Sequence, residues 1–472
     1  MSIAQIFKSS FYYGVIPKIS TLINVLLLPI ITPYSTPYDY GIWGIISSYS
    51  GMFLAIAPLG LHMHLSNSYF EYKKWQLVWG HILFLFFLSG VIFSLIYILI
   101  IIGELGVLPT MTRVLVAICS SIPILLFGNV TLATHLYPLE NKPFPLVIKN
   151  LVASLSAILV SFIMIYFFKL GYWGFVLGTA IAAIVNFSLF VYPLYFNEDI
   201  VPTIDRNVKR IKNWLKVAFP VIPHALGFML LSSSSRIIMS WYNIPLVDIG
   251  LFSNGYMIGD YVTIVSTALV TALVPQMQRA FRECRYIDYR RLYYLCQLTT
   301  FGVVFCVSVW MPQIYKILIR NSSFQESIPI ASLICYANVL MPLYSFVSTT
   351  IFIEKQTKYL LWLVFLPGVI NLTVCLAFIP LYGYKVAIYS TLISYWSQLL
   401  IPFISAYHKR KMQLWMGTRK RILELFICLV FFLFLSQKLM DVSIGGKLSL
   451  SFVVVIIYVS MLRFTHIGDR VV

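Results

Sequence analysis

Gly80-His81-Ile82-Leu83-Phe84-Leu85-Phe86-Phe87-Leu88-Ser89-Gly90-Val91-Ile92-Phe93-Ser94-Leu95-Ile96-Tyr97-Ile98-Leu99-Ile100-Ile101-Ile102 runs without a charged side chain, and Lys73 and Lys74 stand just before it. A helix rises about 1.5 Å per residue, so this stretch crosses the roughly 30 Å hydrocarbon core of a bilayer unaided. Its apolar residues are continuous rather than alternating, which excludes the strand of a membrane barrel. Similar stretches lie at 11–33, 41–61, 113–136, 146–168, 173–196, 217–241, 250–276, 293–319, 328–354, 359–379, 386–408, 422–438 and 447–463. The pattern predicts an all-α integral membrane protein of about fourteen transmembrane helices.

Composition agrees: 60% of residues are hydrophobic and 11% charged, with a mean hydropathy of +0.87. Water is therefore not the main solvent of this chain. The net charge of +18 would suggest nucleic acid in a soluble protein, but here it is sorted by loop. One set of loops holds Lys73 and Lys74, Lys142, Arg206 to Lys212, the arginines between 279 and 291, Lys355 and Lys358, and the cluster from Lys409 to Arg421. The alternate loops carry about one basic residue each or none, which places the basic loops and both termini in the cytoplasm. The charge is mainly a topology signal and excludes a nucleic-acid partner. The basic loops are also suited to anionic lipid headgroups or an anionic substrate. The first apolar stretch lacks a cleavage pattern and reads as an uncleaved helix. The seven cysteines and the scattered histidines have no metal-ligand spacing, and nothing calls for a cofactor.

Comparing the halves exposes a repeat. Tyr40-Gly41-Ile42-Trp43-Gly44-Ile45 aligns with Ile249-Gly250-Leu251-Phe252-Ser253-Asn254, and Leu170-Gly171-Tyr172-Trp173-Gly174-Phe175 with Tyr382-Gly383-Tyr384-Lys385-Val386-Ala387. Both pairs are about 210 residues apart, as a duplicated six-helix unit requires. Each unit begins in the cytoplasm and holds an even number of spans, so the repeats are parallel, and a substrate site is expected between the lobes. The division is an N-terminal lobe at 1–196, a cytoplasmic linker at 197–216, a second six-helix lobe at 217–408, and a basic loop with two extra helices at 409–472.

The same residues carry a family resemblance. Tyr40-Gly41-Ile42-Trp43-Gly44 followed by Pro58-Leu59-Gly60-Leu61, then Asp248 to Tyr256 with Pro275, and Pro380 to Ala387 resemble polysaccharide flippases of the Wzx type. That superfamily also contains lipid II flippases and multidrug and toxin extrusion transporters. The resemblance implies a flippase, not an enzyme. It would move an undecaprenyl-diphosphate-linked oligosaccharide, O-antigen or a related repeat unit, to the outer leaflet of a bacterial inner membrane by alternating access. It extends the expected partners to membrane lipids, a polysaccharide polymerase and a chain-length regulator.

Such a cargo needs a polar, preferably cationic path across the hydrocarbon. Arg236, in Ser232-Ser233-Ser234-Ser235-Arg236, is the leading cation for the diphosphate. It lies roughly 28 Å along its span, where it either lines the cavity or snorkels to the interface. Lys18, roughly 10 Å into the first span, has the same two readings. Asp260 lies roughly 15 Å deep in the eighth span, so it pairs with a cation, carries a coupling proton or joins helices. Asn371 matches an Asn common on the eleventh helix of relatives, but Cys375 stands where a second Asn often follows, so a sodium site is not carried over. Asn24, Asn129, Asn186, Asn338 and Gln398 are further intramembrane polar groups, expected to divide between helix joining and the cavity.

Two rivals remain. A cation-coupled drug efflux carrier of the same superfamily would favour an acidic cavity. A membrane polysaccharide polymerase or glycosyltransferase would need acid and base groups on sizeable loops, whereas the non-cytoplasmic loops here are only about four to ten residues long.

Overall fold

The computed structural model describes residues 16–464 apart from 141, 206, 220, 355, 357, 358 and 400–418; side chains at 16–22, 419–423 and 455–464 also lie outside the description. The described residues are helical, with no strand among them. Seven continuous helices are long and apolar enough to cross a membrane, or nine if each of two bent pairs is one span. The chain forms two compact units, Met1–Gly250 and Leu251–Val472.

Unit 1 contains α1 (Ile16–Ile31), α2 (Pro37–Ile56), α3 (His62–Glu71), α4 (Trp75–Glu104), α5 (Thr110–Leu139), α6 (Pro143–Phe162), α7 (Tyr172–Tyr192), α8 (Val208–Ala218), α9 (Val221–Ser232) and α10 (Ser234–Trp241). The opening stretch falls inside α4. A capping box starts α2: the Asp39 backbone N–H donates to the Thr36 hydroxyl, and the Asp39 carboxylate accepts from the Thr36 backbone N–H. These bonds satisfy amides that a helix start leaves free. Asp39 also accepts from the Tyr172 N–H at 3.0 Å, tying α2 to the start of α7.

The seventh apolar stretch is broken. α8 and α9 meet at 46°, and α9 gives way to α10 at Ser233. There the Ser232 hydroxyl bonds back to the Phe228 carbonyl at 2.9 Å, a local competitor of the helical ladder. α9 and α10 pack on α2 within unit 1. The compact division thus falls after Gly250, whereas the sequence pattern leads us to expect it at 197–216.

α11 (Leu246–Asp260) leads from unit 1 into unit 2, followed by α12 (Val262–Arg282), α13 (Tyr286–Val309), α14 (Met311–Leu318), α15 (Ser327–Ala337), α16 (Met341–Ile353), α17 (Leu360–Tyr382), α18 (Lys385–Trp396), α19 (Arg419–Leu439) and α20 (Ile444–Phe464). The ninth stretch breaks between Val309 and Met311, where Pro312 follows as an early helical residue without a backbone donor. A tight turn at Asn338–Leu340 interrupts the tenth.

The C-terminal pair is bolted into unit 2 by polar groups. The Ser308 hydroxyl on α13 meets Ser332 on α15 and donates to Ser436 on α19 at 3.2 Å, while the Gln437 amide donates to Ser332 at 2.7 Å. From α20, the fully buried Lys447 ammonium donates to Gln313 Oε1 at 2.9 Å and to the Met440 carbonyl at 2.5 Å. A lysine at that depth is tolerated because both oxygens replace its water. The basic residues 409–418 lie outside the described residues.

The glycines of both motifs have identifiable structural tasks. Gly171 and Gly383 each join two helices with positive φ, 53° and 73°, a conformation that costs glycine little. Gly41 and Gly250, which the repeat aligns, meet in unit 1. A Cβ on Gly250 would stand 1.7 Å from the Pro37 carbonyl oxygen and 2.9 Å from the Gly41 nitrogen.

Candidate functional site

A cavity of about 670 Å³ opens in unit 1 between α2, α5 and α7. Its wall combines the aromatic faces of Trp43 and Phe127 with the hydroxyls of Ser47, Ser50, Thr131, Thr134 and Thr179 and the amide of Asn186. Among the described residues that line it, none is charged. Trp43 is held by stacking on Phe175, with ring centres 5.9 Å apart. Ser47, Thr131, Thr134 and Thr179 donate to carbonyls of their own helices, which leaves their oxygens able to accept. Asn186 Oδ1 is buried and bonds no protein group. The wall thus offers flat apolar area and neutral hydrogen-bonding groups.

Arg236 lies outside that lining. From the first turn of α10 its Nη1 donates to Ser48 Oγ at 3.4 Å, beside the lining residue Ser47, and to the Ser232 carbonyl at 3.5 Å. One helical turn later is a group that sequence reasoning missed. Glu104, the last residue of α4, accepts from Tyr49 Oη at 2.9 Å with one carboxylate oxygen and from Ser240 Oγ at 2.5 Å with the other. The Trp241 indole N–H donates to the same Tyr49 oxygen at 2.9 Å. α2, α4 and α10 are thereby joined through one carboxylate. Its signal in the sequence is that Glu104 is the lone acid between Lys74 and Arg113.

Asp260 belongs to unit 2, so the structure does not bring it together with Arg236 in one unit. It ends α11, and its Oδ1 accepts from the Asn338 amide at 3.1 Å. Asp260 precedes a one-residue irregularity at Tyr261 and Asn338 opens a 3-10 turn, and their bond joins α11 to the α15–α16 span. Asn371 is fully buried in unit 2, and its Oδ1 accepts from Ser390 on α18 at 2.7 Å. This bond joins α17 to α18. Lys18 is in α1, but its side chain lies outside the described residues.

The histidines anchor the linker between the sixth and seventh stretches. His64 Nε2 is 3.0 Å from the Trp214 carbonyl, and His81 Nδ1 is 3.0 Å from the Thr203 carbonyl. The Thr203 N–H in turn donates to the Gly80 carbonyl at 3.1 Å.

A smaller cavity of about 280 Å³ opens at the same basic end, lined by Glu140, Lys142, Lys149 and Glu198 among others. Lys142 bridges to Glu140 at 3.1 Å, and Lys149 donates to Tyr137 Oη at 3.1 Å. Burial, followed by the neighbouring Glu140 carboxylate, holds the Glu198 carboxyl above its usual range. The native state therefore keeps a proton that the unfolded chain releases near pH ~4.3. That contribution is fully present below the ordinary glutamate pKa and is lost as pH rises through the raised one. Glu198→Gln is accordingly expected to raise the melting temperature near neutral pH and to flatten its rise on acidification; an unchanged pH profile rejects the assignment.

The helical spans and broken helices define a multi-pass membrane transporter fold, and solved structures share it. An inward-facing multidrug resistance transporter of the MATE family, MOP superfamily, superposes with a TM-score of 0.65 at 14% identity, covering 85% of this chain and 96% of that one. The lipid II flippase MurJ, in an inward closed conformation, gives 0.64 at 14% identity over 93% and 98%. A MOP superfamily transporter from Pyrococcus furiosus gives 0.55 at 15% identity over 87% and 96%. What these identities show is the fold. The chain belongs to the polysaccharide biosynthesis protein family, whose pattern matches residues 6–281. No curated protein matches it.

Proposed function

We propose that the chain is a flippase that carries an undecaprenyl-diphosphate-linked oligosaccharide, O-antigen or a related repeat unit, from the cytoplasmic to the outer leaflet of a bacterial inner membrane. It works by alternating access, with both termini and the basic loops in the cytoplasm, and performs no covalent chemistry. Membership of a polysaccharide biosynthesis family supports this reading, as does the presence of a lipid flippase among the fold neighbours.

The observation that carries the reading is the uncharged cavity in unit 1. Sugar rings present a C–H face that lies against an aromatic plane, and hydroxyls that exchange bonds with Ser, Thr and Asn. A cavity selecting cationic drugs would instead place a carboxylate where the cation sits. We assign the oligosaccharide to this cavity. Arg236 is the candidate cation for the diphosphate, with Lys18 as a second, and Asp260 is the candidate coupling group.

Deleting the gene is expected to make the complete lipid-linked unit accumulate on the cytoplasmic leaflet, with the wild-type chain restoring its export. Normal surface polysaccharide in the deletion strain, together with raised sensitivity to cationic drugs, overturns the proposal in favour of efflux.

A further inference from the structure

α8 forms the second half of the linker and stands two residues before α9, at 46° to it. One side of α8 is fixed to unit 1. Trp214 and Ala218 are buried in its core, beside Leu61 and Leu65. The Ala218 carbonyl approaches so closely that a Cβ on Gly60 would stand 2.4 Å from it. Asn207 caps the helix by accepting from the Arg210 N–H at 3.1 Å. Arg210 ion-pairs with Asp205 at 2.5 Å, which holds that carboxyl below its ordinary range, and lies over the Trp214 ring.

Among the described residues, none packs against the opposite side. Lys209, Lys212 and Lys216 are exposed, and at 3.6 residues per turn they share an arc of about 60°. Val208 and Val217, at 73% and 67% exposure, flank that arc, and Phe219 follows at 66%. The helix contains no acid. Lys216 is five residues and Lys209 twelve from the first residue of α9. Along an axis inclined 46° to the span, they stand roughly 5 Å and 13 Å above it, a height that lysine side chains bridge to the headgroup layer.

The geometry points to α8 as a preformed docking surface for anionic phospholipid headgroups of the leaflet at the basic face. The three ammonium groups meet headgroup phosphates, while Val217 and Phe219 enter the hydrocarbon edge. Charge complementarity selects this occupant: the arc is wholly cationic, its apolar flanks adjoin a span, and the anchored side leaves the helix little freedom to lose on binding.

The test uses the full chain in nanodiscs of phosphatidylcholine with increasing phosphatidylglycerol, reading the melting temperature and the anionic lipid retained after purification. Each lysine near such a surface is worth about fivefold in binding. Lys209→Gln/Lys212→Gln/Lys216→Gln is expected to weaken the phosphatidylglycerol response about tenfold or more, and by clearly more than Lys73→Gln/Lys74→Gln on a neighbouring basic loop, which is not part of the preformed arc. Equal responses in the triple variant and the wild type overturn the proposal, as does reproduction of the effect by inorganic phosphate in phosphatidylcholine alone. Should the triple variant fail to fold, wild-type lipid retention must still fall with added salt, and retention indifferent to salt also overturns it. None of these readouts depends on the transported cargo.

Discussion

Gly250→Ala is expected to lower the melting temperature of the purified protein by about 5 °C or more and to cut the amount assembled in the membrane. The new methyl would stand 1.7 Å from the Pro37 carbonyl oxygen and 2.6 Å from its carbon. Both are backbone atoms of α2, so no rotamer change makes room and the helices must part. Overpacking of this kind costs about 3 kcal/mol or more at its upper end. Gly41→Ala meets the Leu246 carbonyl oxygen at 2.0 Å and is expected to cost a similar amount. Because one separation relieves both clashes, the double variant should cost clearly less than the sum. Gly103→Ala is the control: nothing lies within 4 Å of its would-be methyl, and the melting temperature should not fall. Thermal unfolding in detergent decides the matter, and a wild-type melting temperature for Gly250→Ala would show that the contact is not a stability determinant.

These two glycines also show what the sequence made legible. Tyr40-Gly41 and Ile249-Gly250 stand out because close backbone approach admits only glycine, a constraint written in residue type. Gly171 and Gly383 stand out because their turns take positive φ. Apolar length likewise predicts α4, α5, α7 and α17 well, since hydrocarbon thickness fixes it. The breaks within the seventh to tenth stretches are less visible: at Ser232 a local bond to the Phe228 carbonyl competes with the helical ladder, an option every spanning serine has, and Asn338 meets Asp260, a neighbour remote in sequence. The site divides in the same way. Arg236 and Asp260 announce themselves as charges inside apolar stretches, whereas Glu104 sits at a helix end, and only packing brings Tyr49 and Ser240 to it. The cavity was hidden because its groups are neutral. Ser, Thr and Asn are ordinary in spanning helices, and no single one of them signals a function.

Asn186 separates function from packing at that cavity. Its Oδ1 is buried without a protein partner, so the native fold gains nothing from it and bears its desolvation, about 1–3 kcal/mol where no water enters. Asn186→Leu, of the same branched shape and with the cavity beside it to take the larger methyl groups, is therefore expected to leave the melting temperature unchanged or raised. If the oxygen serves a sugar hydroxyl, the same variant loses a hydrogen bond worth about 1–1.5 kcal/mol, roughly a tenfold fall in export of the lipid-linked oligosaccharide. A merely structural residue would give the opposite pattern, with stability and export falling together. Asn186→Asp sharpens the contrast at nearly constant shape: among the described residues of the wall no cation stands beside such a carboxylate, so it would repel the proposed diphosphate-bearing cargo and should reduce export further, while a cation carrier would gain from it. Export is read from cytoplasmic accumulation of the lipid-linked unit, alongside uptake of a cationic dye. Full export by both variants would remove the cavity from the transport path.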